Sequence, residues 1–429
     1  MRRRVVVTGI GCVSPLGNDV QSTWKAVCEG KSGVVPISRF AASGYPSRIA
    51  AEVQNFTLSG WFDQSQRTAF EQVGRNIQYG AAAAVEAVAD AGLDFRRLLD
   101  PTRFGVYIGT GEGAQDFNLL MSLIAKSRDE NGNFVLSRFT EMSMSILKAE
   151  VEYNQEPNVL AAKIAGLFGA EGPCFNSLTA CAASAQAIGE GTELIRNGSA
   201  DAMIVGGSHS MIHPFGLSGF CLLGTLSTRN DDPTAASRPF DRERDGFVLG
   251  EGAAMLILEE YSAALHRGAR IYGEIQGYGV ASDAYRITDI PLDGNGLARA
   301  MEHSLRDAGL NADQIKYVNA HGTSTGANDR AETQALKRVF GKDAYDVPIS
   351  STKSMTGHLV AACGALELVL SLLALGEGTV PPTMNYEFPD PDCDLDYVPN
   401  AARDAKLDRV MSNNSGFGGQ NVSLILSRV

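Results

Sequence analysis

The 429-residue chain lacks a Cys-x-x-Cys pair, an apolar run of membrane-spanning length and any excess of positive charge. Its seven cysteines (12, 28, 174, 181, 221, 363 and 393) are scattered and odd in number. That pattern reads as reduced thiols in a cytoplasmic protein. The longest apolar stretch, residues 359–375, is 17 residues long and contains Glu367. It is too short and too charged to span a bilayer, so a buried helix is expected. Lys and Arg total 37 against 49 Asp and Glu, a net charge of −12, which argues against general binding to nucleic-acid phosphates. The 46 glycines follow no collagen-like period. No segment has the composition of a flexible linker, since the Pro- and Asp-rich residues 376–399 also carry Tyr and Phe, as a packed extended loop does. The start, Met1-Arg2-Arg3-Arg4 followed by VVVTGIGCVSPLG, imitates a signal peptide, but its apolar run is broken by glycines and ends in Pro15. A buried strand leading into a glycine turn fits better.

What is present is globular: 44% hydrophobic and 20% charged residues, with length enough for two or three units. Strand-like segments at 5–7, 105–108, 202–205, 253–258, 271–280 and 317–320 alternate with Ala-rich helical patterns such as 80–91, predicting an α/β fold. Asp90-Ala91-Gly92-Leu93 and Asp307-Ala308-Gly309-Leu310 each close a helix before a strand, with glycine where a helix end calls for a left-handed residue. The turn at Cys181 leading into an apolar helix is echoed by residues 359–375. Two echoes in the same order suggest a duplication whose halves are 1–258 and 259–429.

Several familiar signals fail. Gly9-Ile10-Gly11 has Ser14 where a dinucleotide fingerprint needs its third glycine, and Gly109-Thr110-Gly111-Glu112-Gly113 lacks the Lys-Ser/Thr of a phosphate loop. His209 and His213 have helical spacing, but Ser210 stands where a zincin has glutamate. Residues 241–251 mix both charges and are expected to form a solvated salt-bridged turn.

Four segments carry chemistry. In Thr179-Ala180-Cys181-Ala182-Ala183-Ser184 the cysteine sits at the start of a small-residue helix, where free amides and the helix dipole favour thiolate. Asn319-Ala320-His321-Gly322-Thr323-Ser324-Thr325 places a histidine just after a strand. Ser351-Thr352-Lys353-Ser354-Met355-Thr356-Gly357-His358 sets a lysine and a histidine before the apolar helix. Two of only six histidines therefore lie in Gly/Ser/Thr-rich turns. Ser415-Gly416-Phe417-Gly418-Gly419 is a glycine hairpin whose amides suit an oxyanion.

These segments, with VVVTGIGCVSPLG at 5–17, RPFDRERDGFVLGEGA at 238–253 and VPPT at 380–383, span nearly the whole chain. The chain resembles the β-ketoacyl-[acyl-carrier-protein] synthases of the thiolase-like superfamily, in particular synthase II and the ketosynthases of type II polyketide pathways. The resemblance implies a five-layered αβαβα fold and a dimer, either a homodimer or a heterodimer. It implies Cys181 as nucleophile and His321 and His358 as donors to the extender thioester carbonyl. Lys353 and Glu367 join the catalytic set as a supporting pair, the alternative being a buried ion pair with no part in the reaction. The amides of Cys181 and Phe417 form the oxyanion hole. Thr323, Thr325, Thr288, Phe417, Phe220 and Glu112 are the substrate- and pantetheine-binding positions. No metal or organic cofactor is implied, because the phosphopantetheine arm belongs to the partner, acyl carrier protein. The implied reaction joins an acyl-enzyme thioester to malonyl carrier protein, giving 3-ketoacyl carrier protein and CO2.

The sequence departs from the family at three places: the longer, polar residues 140–157, Glu112 where an apolar residue is usual, and few basic residues for docking an acidic carrier protein (Arg67, Arg75 and Arg229). Two rival readings are a non-catalytic chain-length partner subunit, which would lack the nucleophile, and a thiolase acting on coenzyme A thioesters, which would need a second cysteine in the 416–419 hairpin.

Overall fold

The computed structural model describes residues 2–92, 100–113 and 116–429. A ten-stranded mixed sheet runs in the order Ile349–Ser350, Tyr317–Asn319, Arg409–Gly416, Gln420–Ser427, Gly273–Ser282, Val5–Val13, Gly252–Glu260, Ala202–His209, Phe104–Thr110, Cys174–Ser177. Numbered within each run of five by chain order, both halves read 3-2-4-5-1 from the outer edge inward. The three outer strands of each half are mutually parallel and the remaining pairs antiparallel. The halves join where Val5–Val13 meets Gly273–Ser282 antiparallel.

Helices Ala183–Arg196 and Cys363–Glu377 pack on each other and on strands of both halves, while Arg75–Asp90 and Asn295–Ala308 cover the outer faces. The layering is thus the expected αβαβα. Cys363–Glu377 belongs at the centre because its sequence is apolar nearly all round. The stretch Val360–Glu377 is long and apolar enough to cross a membrane, yet 83% of it is buried inside the fold.

The first strand runs well past the expected residue 7, to Val13. Gly9 and Gly11 lie under helix Arg75–Asp90, and a Cβ on them would sit 2.2 and 2.1 Å from the Ala87 and Ala83 carbonyl oxygens. These glycines serve close packing rather than a turn. Gly92 and Gly309 both adopt the left-handed conformation expected of them, at φ +61° and +67°; Leu93, the last residue of the first echo, lies outside the described residues.

The mixed-charge segment 241–251 is solvated only in part, at the exposed Arg242, Glu243 and Asp245. Asp241, Arg244 and Glu251 are buried, with Arg244 bound to Asp390 at 2.7 Å and facing Asp329 at 3.4 Å. Partners from distant segments neutralise charges that the local sequence leaves open.

Candidate active site

Ala180, held at φ +48°, turns the chain sharply so that Cys181 lies inside a short 3-10 turn, Ala180–Ala182, just before helix Ala183–Arg196. The same geometry recurs at Val360, at φ +47°, before helix Cys363–Glu377. Cys181 opens into a pocket of about 320 Å³ that also receives His321, His358, Thr323, Thr325 and Phe417. Phe220 and Thr288 line it too. Glu112 does not; it sits in a separate cavity, 3.7 Å from His209.

Cys181 Sγ and a nitrogen of each of the two imidazoles lie within 4.8 Å of one another. The rings of His321 and His358 are edge-to-face, centroids 5.3 Å apart. Their tautomers follow from their neighbours. The Val360 amide donates to His358 Nδ1 at 3.2 Å. Lys353 Nζ, which can only donate, lies 3.4 Å from His321 Nδ1. With both Nδ1 atoms accepting, each ring carries its proton on Nε2. Burial, reinforced by the Lys353 charge, holds both imidazoles well below the ordinary histidine range, so both are neutral donors at pH 7.

Lys353 itself is fully enclosed. It is paired with Glu367, also donates to the His321 carbonyl at 2.6 Å, and keeps its charge because burial, the largest single influence, is outweighed by Glu367, Cys363 and Glu332 together. Asn414 Nδ2 donates to the other Glu367 oxygen at 2.7 Å. The pair does not line the pocket; it reaches the chemistry through His321.

The expectation of a thiolate at Cys181 is corrected by its surroundings. Burial pushes the thiol up to about 12, against which Lys353 and the amides of Phe417 and Cys181 pull only partly. Burial in apolar surroundings raises a thiol, and at Cys181 it outweighs the downward pull of the helix start.

The beta-ketoacyl synthase N-terminal domain matches residues 2–264, and its C-terminal domain matches residues 272–387. The chain belongs to the beta-ketoacyl synthase family. As a ketosynthase it is 44% identical over 428 residues to the 3-oxoacyl-[acyl-carrier-protein] synthase 2 of Coxiella burnetii, covering 100% of this chain and 99% of that one. It is 42% identical over 426 residues to the tetracenomycin polyketide synthase ketoacyl synthase alpha subunit of Streptomyces glaucescens, covering 99% and 97%. Among solved structures, a type II polyketide ketosynthase in complex with its acyl-carrier protein and bound to the hexaketide superposes with a TM-score of 0.88 at 36% identity, over 100% of both chains. A beta-ketoacyl synthase from Burkholderia phymatum gives 0.89 at 36%, again over 100% of both. The thiolase-like fold expected of the ketosynthase is therefore present.

Sequence reasoning missed two residues that support the ketosynthase pocket. Glu332 accepts the amides of His321 at 2.9 Å and Gly322 at 2.7 Å, fixing the turn that carries the histidine. Its signal was a carboxylate on the Ala-rich face of helix Gly326–Phe340. Asn414 gave none, being one polar residue among several in its strand. His209 and His213 share no helix: the first ends a strand and the second caps helix Pro214–Leu222.

Gly416 makes the hairpin's approach possible. A Cβ there would meet the Thr179 carbonyl oxygen at 2.7 Å and the Cys181 nitrogen at 3.2 Å. Gly416→Ala is expected to push the Phe417 amide off the sulfur and slow acyl transfer by roughly a hundredfold, the usual cost of one lost oxyanion donor. Single-turnover acylation followed by intact mass checks it; an unchanged rate would remove Phe417 from the oxyanion hole.

Proposed function

We propose that this ketosynthase catalyses a decarboxylating Claisen condensation of an acyl-Cys181 thioester with malonyl-acyl carrier protein, yielding 3-ketoacyl-acyl carrier protein and CO2. The observation that carries it is the pair of neutral Nε2–H imidazoles facing one buried thiol. Cys181 attacks the acyl thioester, and its proton ends on the departing pantetheine sulfur. The malonyl thioester then binds with its carbonyl oxygen against both Nε2–H groups. Breaking the bond to the carboxylate releases CO2 and places negative charge on that oxygen, where two fixed donors lower the barrier without a base. The enolate carbon attacks the Cys181 thioester, the tetrahedral oxyanion rests on the Cys181 and Phe417 amides, and collapse frees the thiol. Thr323 and Thr325, whose hydroxyls are 2.9 Å apart, hold the pantetheine arm with Thr288 at the mouth. Exposed Leu222 and Ile287, next in sequence to the pocket-lining Leu223 and Thr288, form the surface assigned to the carrier protein, while Arg229 is half-buried and donates to the Glu243 carbonyl at 3.0 Å. Initial-rate patterns with both carrier-protein substrates test the scheme, which requires ping-pong kinetics.

The division into a half bearing the nucleophile and a half bearing both histidines is part of this reading, supported by the recurring strand order, with the expected 258/259 boundary moved past Glu260, where the last strand of the first half ends. The ketosynthase works as a dimer, with an identical chain or with a chain-length partner. Its seven unpaired cysteines suit the cytoplasm. The gathered Cys181, His321 and His358 favour a catalytic subunit over a chain-length partner. Against a thiolase, Cys363 spends its thiol on the Cys181 carbonyl oxygen at 3.3 Å and does not line the pocket.

Lys353 and Glu367 are assigned a positioning role, with a direct test. Lys353→Met leaves a buried carboxylate unpaired and is expected to cost about 3–5 kcal/mol of stability. Adding Glu367→Leu restores most of that. If decarboxylation recovers with stability in the double variant, the pair is structural only; a rate that stays low identifies Lys353 as the group that fixes the His321 tautomer.

The pH profile follows from the lowered imidazoles. Their neutral forms persist as pH falls through the ordinary histidine value of about 6.5. Malonyl decarboxylation is therefore expected to hold its rate from pH 8 to about 6. A bend near 6.5 would mean that one of the two rings titrates normally.

A further inference from the structure

Cys181 belongs to the first half of the chain and both imidazoles to the second, so their spacing depends on how the halves lock together. One lock lies at the starts of the two central helices, Ala183–Arg196 and Cys363–Glu377. Each helix follows a 3-10 turn entered through a residue at positive φ, Ala180 in one and Val360 in the other. The two turns pack on each other. The first carries Cys181; the second carries Val360, whose amide fixes the His358 ring.

Two hydrogen bonds cross between these helix starts in opposite directions. The Cys363 thiol donates to the Cys181 carbonyl oxygen at 3.3 Å. The Ala365 amide donates to the Ser184 hydroxyl oxygen at 3.0 Å. All four residues are buried. Ala365 stands in the first turn of its helix, where amides have no partner inside the helix, and the N-cap residue Ala362 has no side chain able to supply one. Ser184 therefore caps, from the first half of the chain, a helix of the second. Gly364 lets the two helix starts come this close, since a Cβ there would stand 2.8 Å from the Ala185 Cβ and 3.0 Å from the Ala185 nitrogen. Asn414 Nδ2 reaches Cys363 Sγ at 3.6 Å as well as Glu367 at 2.7 Å. A line of contacts thus runs from the Cys181 backbone through Cys363, Asn414, Glu367 and Lys353 to His321.

We propose that Cys363 and Ser184 are positioning residues that hold the acyl thioester on Cys181 within reach of the enolate, and so keep CO2 loss coupled to condensation. The assignment rests on the ketosynthase reading above and deepens it. The enolate has two fates. It attacks the acyl-Cys181 carbonyl, forming the carbon–carbon bond and freeing the thiol, or its carbon takes a proton from water and leaves as acetyl carrier protein. Both routes share every step through CO2 release and differ in where the thioester carbon stands. A misplacement of about 1 Å between reacting groups costs on the order of a hundredfold in rate. Cys363 and Ser184 do not line the pocket; each acts through the helix start it braces.

The test is a single-turnover reaction of acyl-Cys181 enzyme with malonyl carrier protein, in which CO2, 3-ketoacyl carrier protein and acetyl carrier protein are all quantified. The unsubstituted enzyme is expected to give nearly all 3-ketoacyl product. Cys363→Ala and Ser184→Ala are each expected to raise the ratio of acetyl to 3-ketoacyl product roughly tenfold, with CO2 release held within about twofold. Cys363→Ser keeps a donor and should return the ratio toward that of the unsubstituted enzyme. A ratio unchanged in both alanine variants overturns the assignment, as does a fall in CO2 release that keeps pace with condensation, which a merely structural role would give. Equal ratios in Cys363→Ala and Cys363→Ser overturn the role of the thiol as donor. If Ser184→Ala does not fold, the Cys363 pair of variants decides alone. An unsubstituted enzyme that forms no 3-ketoacyl product overturns the ketosynthase reading instead.

Discussion

Cys181→Ala is expected to abolish acyl transfer and condensation while malonyl-carrier-protein decarboxylation survives within about tenfold of the parent. The two steps are separable because they use different groups. The Lys353–His321 and Val360–His358 contacts that fix the imidazole tautomers do not involve the sulfur. Removing Sγ deletes the covalent acceptor and leaves the enolate-stabilising pair in place. The stability cost is small, about 1 kcal/mol, since one buried atom is lost. CO2 release and intact-protein mass, measured on the same preparation, separate the outcomes. Normal condensation by Cys181→Ala would mean that another group carries the acyl chain.

The second large effect is at the histidines. In the proposed scheme each Nε2–H donates to the oxygen on which charge develops, and losing one such donor costs about 2.7–4 kcal/mol, or roughly a hundred- to a thousandfold in rate. His321→Ala and His358→Ala are each expected to cut decarboxylation by that much and acyl loading far less. The double variant should fall short of the product of the singles, because both donors act on one oxygen. Decarboxylation unchanged in both single variants would refute the shared role.

Much of the pocket and of the residues that support it was legible because they lie in turns whose composition is hard to explain otherwise. Cys181, His321, Lys353, His358 and the 415–419 hairpin each sit among Gly, Ser, Thr or Ala, which leave room for a substrate and let backbones approach, as Gly416 does. Partnerships formed between distant segments were not legible. Arg244 looked solvated until Asp329 and Asp390 arrived from the second half of the chain. Glu332 holds the His321 turn from a helix that reads as ordinary. The protonation of Cys181 was misjudged for a related reason: local sequence shows the helix start, whereas burial is a property of the whole fold. The first strand's length depended on the same kind of information, since Gly9 and Gly11 look like turn residues until a helix lies over them.

The central claim is that one thiol holds the acyl chain while two neutral imidazoles generate the nucleophile that takes it. The measurement that reaches it most directly is a chase. The ketosynthase is acylated from acyl carrier protein, freed of excess donor, mapped by digestion to locate the acyl group, and mixed with malonyl carrier protein under single-turnover conditions. The account predicts an acyl mass on Cys181 that disappears with stoichiometric appearance of 3-ketoacyl carrier protein and CO2. An acyl group found elsewhere, or one on Cys181 that persists or leaves as free acid while CO2 is released, would contradict it.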